Sequence, residues 1–264
     1  MKNQLTILQN FIIINEDVLN HLKSDVGLKT TANVLGECEW IVNYKTELYL
    51  EEIKTLYDKH LSNYTLYNNL EDENFKWATT TLSMLKQVKT SYIFYLTEDR
   101  MFYKTTRKEF SDMMDEVVKS DIGFVQIGKL HKYSLSQYPD RVQNYNRQNH
   151  HPWGPIPPYM DNDEHIYTFL AKNCPFGVLS IDAIFRKDVL EKSLERLVDG
   201  TDFKSKENTP HILELGKHRS NLGREWNWLA TGMPDMLCAI PKEEIVISDD
   251  DPGHSKFLKG MENA

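Results

Sequence analysis

Residues Ser91–Phe102 read SYIFYLTEDRMF. An aromatic and β-branched run gives way at once to Thr97-Glu98-Asp99-Arg100. The apolar half predicts a strand over Ser91–Leu96 that is buried on both faces, because no polar alternation marks a wet side. The carboxylates that follow mark the point where the strand leaves the core. Just before it, Asn74–Val88 carries Trp77, Thr81, Leu82, Leu85 and Val88 at helical spacing. A helix feeding a buried strand is the building unit of a parallel sheet covered on both faces.

The same alternation extends outward. Upstream, strands are predicted over Leu5–Ile14, Glu39–Tyr44 and Asn63–Tyr67, with helices over Asn15–Lys23 and Thr46–His60. Downstream, Thr106–Lys119 reads as a helix and Gly123–Ile127 as a strand. The character changes after that. His131–Glu164 is rich in Tyr, Asn, Gln and Pro, including HHPWGPIPPYM, and loops of such length are commonly functional. Gly177–Phe185 returns to strand character, Lys187–Val198 to helix, and Glu225–Ala230 to helix. Met236–Ile240 and Glu244–Ile247 read as short late strands. The expected fold class is α/β, a Rossmann-type, mostly parallel sheet with helices on both faces. A single domain over 1–264 is expected, with a nucleotide-binding half at 1–128 and a second half and tail at 129–264.

Composition narrows the function. The chain has 264 residues, 40% apolar and 27% charged, with a formal net charge of −8. That balance argues against an extended nucleic-acid footprint, which needs a basic face. It leaves room for a small anionic ligand in a locally positive pocket. Cys38, Cys174 and Cys238 are odd in number and widely spaced, so neither a disulfide framework nor a CxxC metal site is indicated. The N-terminal apolar stretch is broken by Gln9, Asn10 and Asn15 and is too short to span a membrane. The expectation is a soluble, cytoplasmic protein of undetermined oligomeric state. Neither GxGxxG nor GxxxxGK[ST] occurs, so the dinucleotide fingerprint and the P-loop are both absent.

Two acids at the end of a buried strand suit a divalent metal that bridges to phosphate oxygens. The chain resembles the GT-A glycosyltransferases, family 2-like in element order. The resemblance is carried by LTILQNF at the start, by WATTTLSMLKQVKT running into SYIFYLTEDRMF, and by CPFGVLSIDAIFRKDVLEK, LGREWNWL and GHSKFLKG. It implies a nucleotide-diphosphate sugar as donor, a glycan or other hydroxyl as acceptor, and a manganese or magnesium ion. Glu98, Asp99 and His254 would be the metal ligands. Arg100 and Lys256 would neutralise diphosphate charge, and Gly177 would let the backbone approach the donor sugar. Glu225 would be the general base of an inverting reaction. Thr97 stands where the family's acidic motif has its first Asp, and Trp226 where an Asp is common after the base.

Independently of that resemblance, ligands in open α/β sheets bind beyond the carboxyl ends of the strands. This nominates Gln9, Asn10, Phe11 and Asn43 as base-reading residues. Blander readings stand beside each assignment. Glu98 and Asp99 fit a solvated strand end, Glu225 a surface carboxylate favoured by a helix dipole, and His254 a tail residue. Trp153, Trp226 and Trp228 fit packing as well as sugar stacking. A nucleotidyltransferase of similar topology would normally carry a glycine-rich basic signature near the first strand, and LTILQNFIIINEDV has none. A non-catalytic α/β module with a decayed acidic motif is the other alternative.

Overall fold

The computed structural model describes residues 1–11, 16–23, 26–44, 47–68, 77–96, 100–102, 105–127, 163–171, 183–199, 233, 235–242 and 245–248. The strands are β1 (Leu5–Phe11), β2 (Glu39–Tyr44), β3 (Tyr64–Asn68), β4 (Tyr92–Tyr95), β5 (Arg100–Phe102), β6 (Phe124–Gln126), β7 (Ile166–Leu170), β8 (Ala183–Arg186), β9 (Leu237–Pro241) and β10 (Val246–Ser248). The helices are α1 (Glu16–Lys23), α2 (Val26–Leu35), α3 (Leu50–His60), α4 (Trp77–Leu85), α5 (Arg107–Lys119) and α6 (Lys187–Asp199).

Eight strands form one sheet in the order β3-β2-β1-β4-β8-β6-β9-β7, and β5 pairs with β10 in a separate ribbon. β3, β2, β1 and β4 are mutually parallel. β8 runs antiparallel to both β4 and β6. β9 is parallel to β6, and β7 closes the far edge antiparallel to β9. Six strands therefore share one direction and two oppose it. The predicted α/β class with a mostly parallel sheet is what the chain adopts.

The period-2 geometry of the strands splits the core into two layers. Leu5, Ile7 and Phe11 of β1 face Ile53 and Tyr57 of α3 and Phe110 and Met114 of α5. Leu8 of β1 and Ile93 of β4 face Leu85 of α4 and Leu190 of α6. Both faces of β4 are thereby covered, which is why its sequence shows no alternation. α5 starts at a capping box: the Thr106 hydroxyl accepts from the Glu109 backbone N–H, and the Glu109 carboxylate accepts from the Thr106 backbone N–H. Among the described residues no helix is long and apolar enough to cross a membrane.

The reading of Ser91–Phe102 undergoes one addition. Arg100–Phe102 is not the tail of a loop but a second short strand. Phe94, Phe102 and Phe110 form a closed aromatic triad, with centroid distances of 6.1, 6.2 and 5.4 Å. The triad ties β4, β5 and α5 together. Phe94 is fully buried, and truncating a buried Phe to Ala costs about 3–5 kcal/mol. Phe94→Ala is expected to lose that much stability in urea melts. A loss below about 1 kcal/mol, the level of a surface substitution, would show that the triad does not hold β4 to α5.

Candidate functional site at the carboxyl ends of β1, β2 and β4

The parallel strands all deliver their carboxyl ends to one edge of the sheet, with β1 flanked by β2 and β4. Gln9, Asn10 and Phe11 close β1 at this edge, and Asn43 lies opposite Asn10 in the register. Successive residues point to opposite faces. Gln9 is buried on the α3 side, where the Tyr57 hydroxyl donates to its Oε1 at 2.5 Å. Phe11 is buried too; its ring stacks on Tyr57 at 6.4 Å and tilts against Tyr44 at 5.3 Å. These two residues brace the end of β1 against α3.

Asn10 and Asn43 turn to the other face. The Asn43 Nδ2 donates to the Asn10 Oδ1 at 2.8 Å. Asn43 is fully buried. The remaining donor, Asn10 Nδ2, and the remaining acceptor, Asn43 Oδ1, are both closed to solvent and have no hydrogen-bond partner among the described residues. A buried polar group left unpaired costs about 1–3 kcal/mol. The polar pair lies at the edge of the sheet where ligands of such folds bind.

The acidic motif leaves β4 between two fixed points. The Leu96 N–H donates to the Leu8 carbonyl at 3.1 Å, and Leu96 is buried. On the other side Phe102 is anchored in the aromatic triad. Arg100 opens β5 and pairs with Ser248 of β10. The ribbon is antiparallel, so Arg100, the first residue of β5, and Ser248, the last of β10, lie at the same end of it. Sequence reasoning missed this pairing, because neither three-residue strand has a pattern of its own. Glu98, Asp99, Gly177, Glu225, His254 and Lys256 themselves lie outside the described residues.

A second constellation was not foreseen. Oxygen and nitrogen atoms of Glu116, Glu164 and His165 lie within 4.8 Å of one another. The Glu116 carboxylate accepts from the backbone N–H groups of Glu164, at 3.1 Å, and His165, at 2.9 Å. It also meets His165 Nδ1 at 2.7 Å. These three side chains have the chemistry to hold a metal, but the bonds they already make fasten the start of β7 to α5. β7 stands four strand spacings from β4, roughly 19 Å across the sheet. No sequence signal joins residues so far apart along the chain.

No family model matches this chain, and no curated protein matches it in sequence. Solved structures do. The chain superposes on S. aureus TarS 1-349 with a TM-score of 0.51 and 11% identity, over 93% of this chain and 60% of that one. The likeness is one of fold. A crystal structure of S. aureus TarS gives a TM-score of 0.50 and 12% identity, over 98% of this chain and 38% of that one. The chain thus spans about 60% of the shorter TarS fragment. A 4-diphosphocytidyl-2C-methyl-D-erythritolsynthase from Anaerococcus prevotii gives a TM-score of 0.48 and 10% identity over the whole of both chains. TarS is a GT-A-like glycosyltransferase, and the sheet described above is the GT-A-like, Rossmann-type arrangement.

Proposed function

We propose that this chain is a glycosyltransferase that moves a sugar from a nucleotide-diphosphate sugar to a hydroxyl of a glycan or another acceptor. The observation that carries the reading is the geometry around β4. A strand buried on both faces ends at the ligand-binding edge of a GT-A-like sheet and runs directly into Glu98 and Asp99. The β5–β10 ribbon supports it further, since Ser248 pairs with Arg100, the residue that follows Asp99 in sequence.

In this reading residues 1–128 hold the donor and residues 129–264 the acceptor. Glu98, Asp99 and His254 would hold a manganese or magnesium ion, an oxygen-rich donor set that suits hard cations. When bound, the ion would neutralise charge on the diphosphate leaving group. Arg100 and Lys256 act on the same charge as it develops. Gly177 leaves room for the donor sugar. Glu225 takes the proton from the acceptor hydroxyl as its oxygen attacks the anomeric carbon, which inverts the configuration there. The base is held at the ends of β1 and β2, near Gln9, Asn10, Phe11 and Asn43.

A thermal-shift series with UDP, GDP, CDP and dTDP sugars, each with and without manganese, tests the reading. A ligand at a hundred times its dissociation constant adds about 2.7 kcal/mol of stability. One nucleotide class is expected to raise the melting temperature, and more so with manganese. Flat melting curves across the whole series would contradict it.

A further inference from the structure

We propose that the open edge of β3 joins a second copy of this chain across a twofold axis, making one continuous sheet of the two. β3 stands at the end of the sheet, and β2 is its ladder partner among the described residues. The Trp40 N–H donates to the Asn63 carbonyl at 3.0 Å. Alternation along a parallel ladder then turns the backbone groups of Thr65 and Tyr67 toward β2. It turns the N–H and C=O groups of Tyr64 and Leu66 toward the open side. Those outward groups have no backbone partner among the described residues. The opposite edge of the sheet differs. Ile166, Thr168 and Phe169 of β7 are buried, whereas Thr65 is exposed and Tyr64, Leu66 and Tyr67 are half-buried.

An exposed edge is ordinarily protected by a lysine, a proline or a bulge. β3 has none of these. Leu61–Leu70, LSNYTLYNNL, holds no Lys, Arg, Asp, Glu or Pro, and the register on β2 runs unbroken from Trp40↔Tyr64 to Tyr44↔Asn68. Both faces of the strand are apolar as well. Tyr64 and Leu66 pack at the margin of one core layer, and Tyr67 at the margin of the other. That is the character of an interior strand. Its occupant must continue the ladder and both layers at once. A lone peptide strand supplies only the ladder, whereas the β3 edge of a second copy brings the same two unfinished layers with it. The contact is also uncharged, so two chains of net charge −8 can meet there without repulsion between the touching groups. A twofold axis makes the pairing antiparallel and self-complementary. With Leu66 opposite Leu66 of the partner subunit, Tyr64 falls opposite Asn68 of the partner subunit, and each outward N–H meets an outward carbonyl.

Sedimentation equilibrium and disulfide trapping of the full chain test the assignment. Wild type is expected to dimerise in the micromolar range. The dimer is expected to hold or tighten as salt is raised, because salt screens the repulsion of the net charges and leaves an uncharged contact untouched. Thr65→Lys puts a charge at an exposed position of the edge and is expected to weaken the dimer by about tenfold or more. Trapping reads the register. The α-carbons of a hydrogen-bonded antiparallel pair stand about 5.5 Å apart, within disulfide reach. Leu66→Cys is therefore expected to give a covalent dimer under mild oxidation, and it decides the matter if Thr65→Lys does not fold. Thr65→Cys faces Tyr67 of the partner subunit, which sets its two introduced thiols beyond reach, so it is expected to stay at the background of the wild-type cysteines. A wild-type chain that stays monomeric across that range would overturn the proposal and leave the edge to a foreign strand. A dimer unmoved by a folded Thr65→Lys, or trapping of Leu66→Cys no faster than of Thr65→Cys, would overturn it too.

Discussion

Replacing Glu225 by Gln is expected to lower sugar transfer by about 10²–10⁴-fold, the usual contribution of a positioned general base. The substitution keeps the size of the side chain and removes only its ability to take a proton. Glu225 belongs to LGREWNWL, where Trp226 and Trp228 both follow it in sequence. The acceptor hydroxyl is its target, so affinity for a nucleoside diphosphate is expected to stay at the wild-type value. Steady-state transfer rates and calorimetric donor affinities, measured side by side, separate the two effects. Near-normal transfer by Glu225→Gln would place the base elsewhere or show that the reaction needs none.

Asp99→Asn carries the other large effect. Asp99 is the last acid of the motif and the residue directly before β5. An amide keeps the shape but is a much poorer ligand for a hard cation than a carboxylate. Metal-dependent donor binding is expected to vanish, while the melting temperature without ligand stays near wild type. β4 is held by its neighbours β1 and β8 and by the aromatic triad. Unchanged donor affinity with manganese present would show that Asp99 is a solvated strand end.

The elements that determine the fold announced themselves wherever burial was complete. β1, β2 and β4 are short apolar runs because helices cover both faces, and a run without alternation can be recognised without knowing its neighbours. α3 and α5 were equally plain from their spacing, and the Thr106–Glu109 capping box marks where α5 begins. α2 was not legible. Its sequence, VGLKTTANVL, contains Gly27, Thr30, Thr31 and Asn33, which are all weak helix formers. It is helical because Leu28, Ala32, Val34 and Leu35 are buried against the sheet, a tertiary effect that local propensity does not contain. β5 and β10 were illegible for a related reason: three residues hold no period, and each is a strand only through the other. β7 lay just beyond the long polar segment and was passed over with it. The antiparallel direction of β7 and β8 cannot be read from side-chain pattern at all, since the alternation of a strand is the same in both directions.

Candidate site positions were nominated residue by residue, not as an arrangement. Asn10 and Asn43 were each nominated by position at a strand end. That they form one half-satisfied pair follows from the parallel register of β1 on β2, which needs both strands aligned in space. In the same way, Glu98 and Asp99 were visible as an abrupt change of character after a buried strand. The pairing of Ser248 with Arg100 joins distant parts of the chain and had no such local signal. The Glu116, Glu164 and His165 cluster had no sequence signal for the same reason.

The central claim is that the acidic motif after β4 serves a reaction on nucleotide sugars. The most direct test is release of free nucleoside diphosphate from UDP, GDP, CDP and dTDP sugars by the purified chain with manganese, followed by chromatography. The account predicts slow hydrolysis of one nucleotide class, with water in place of the acceptor, and its loss in Asp99→Asn. No release from any of the sugars, or release that persists unchanged in Asp99→Asn, would contradict it.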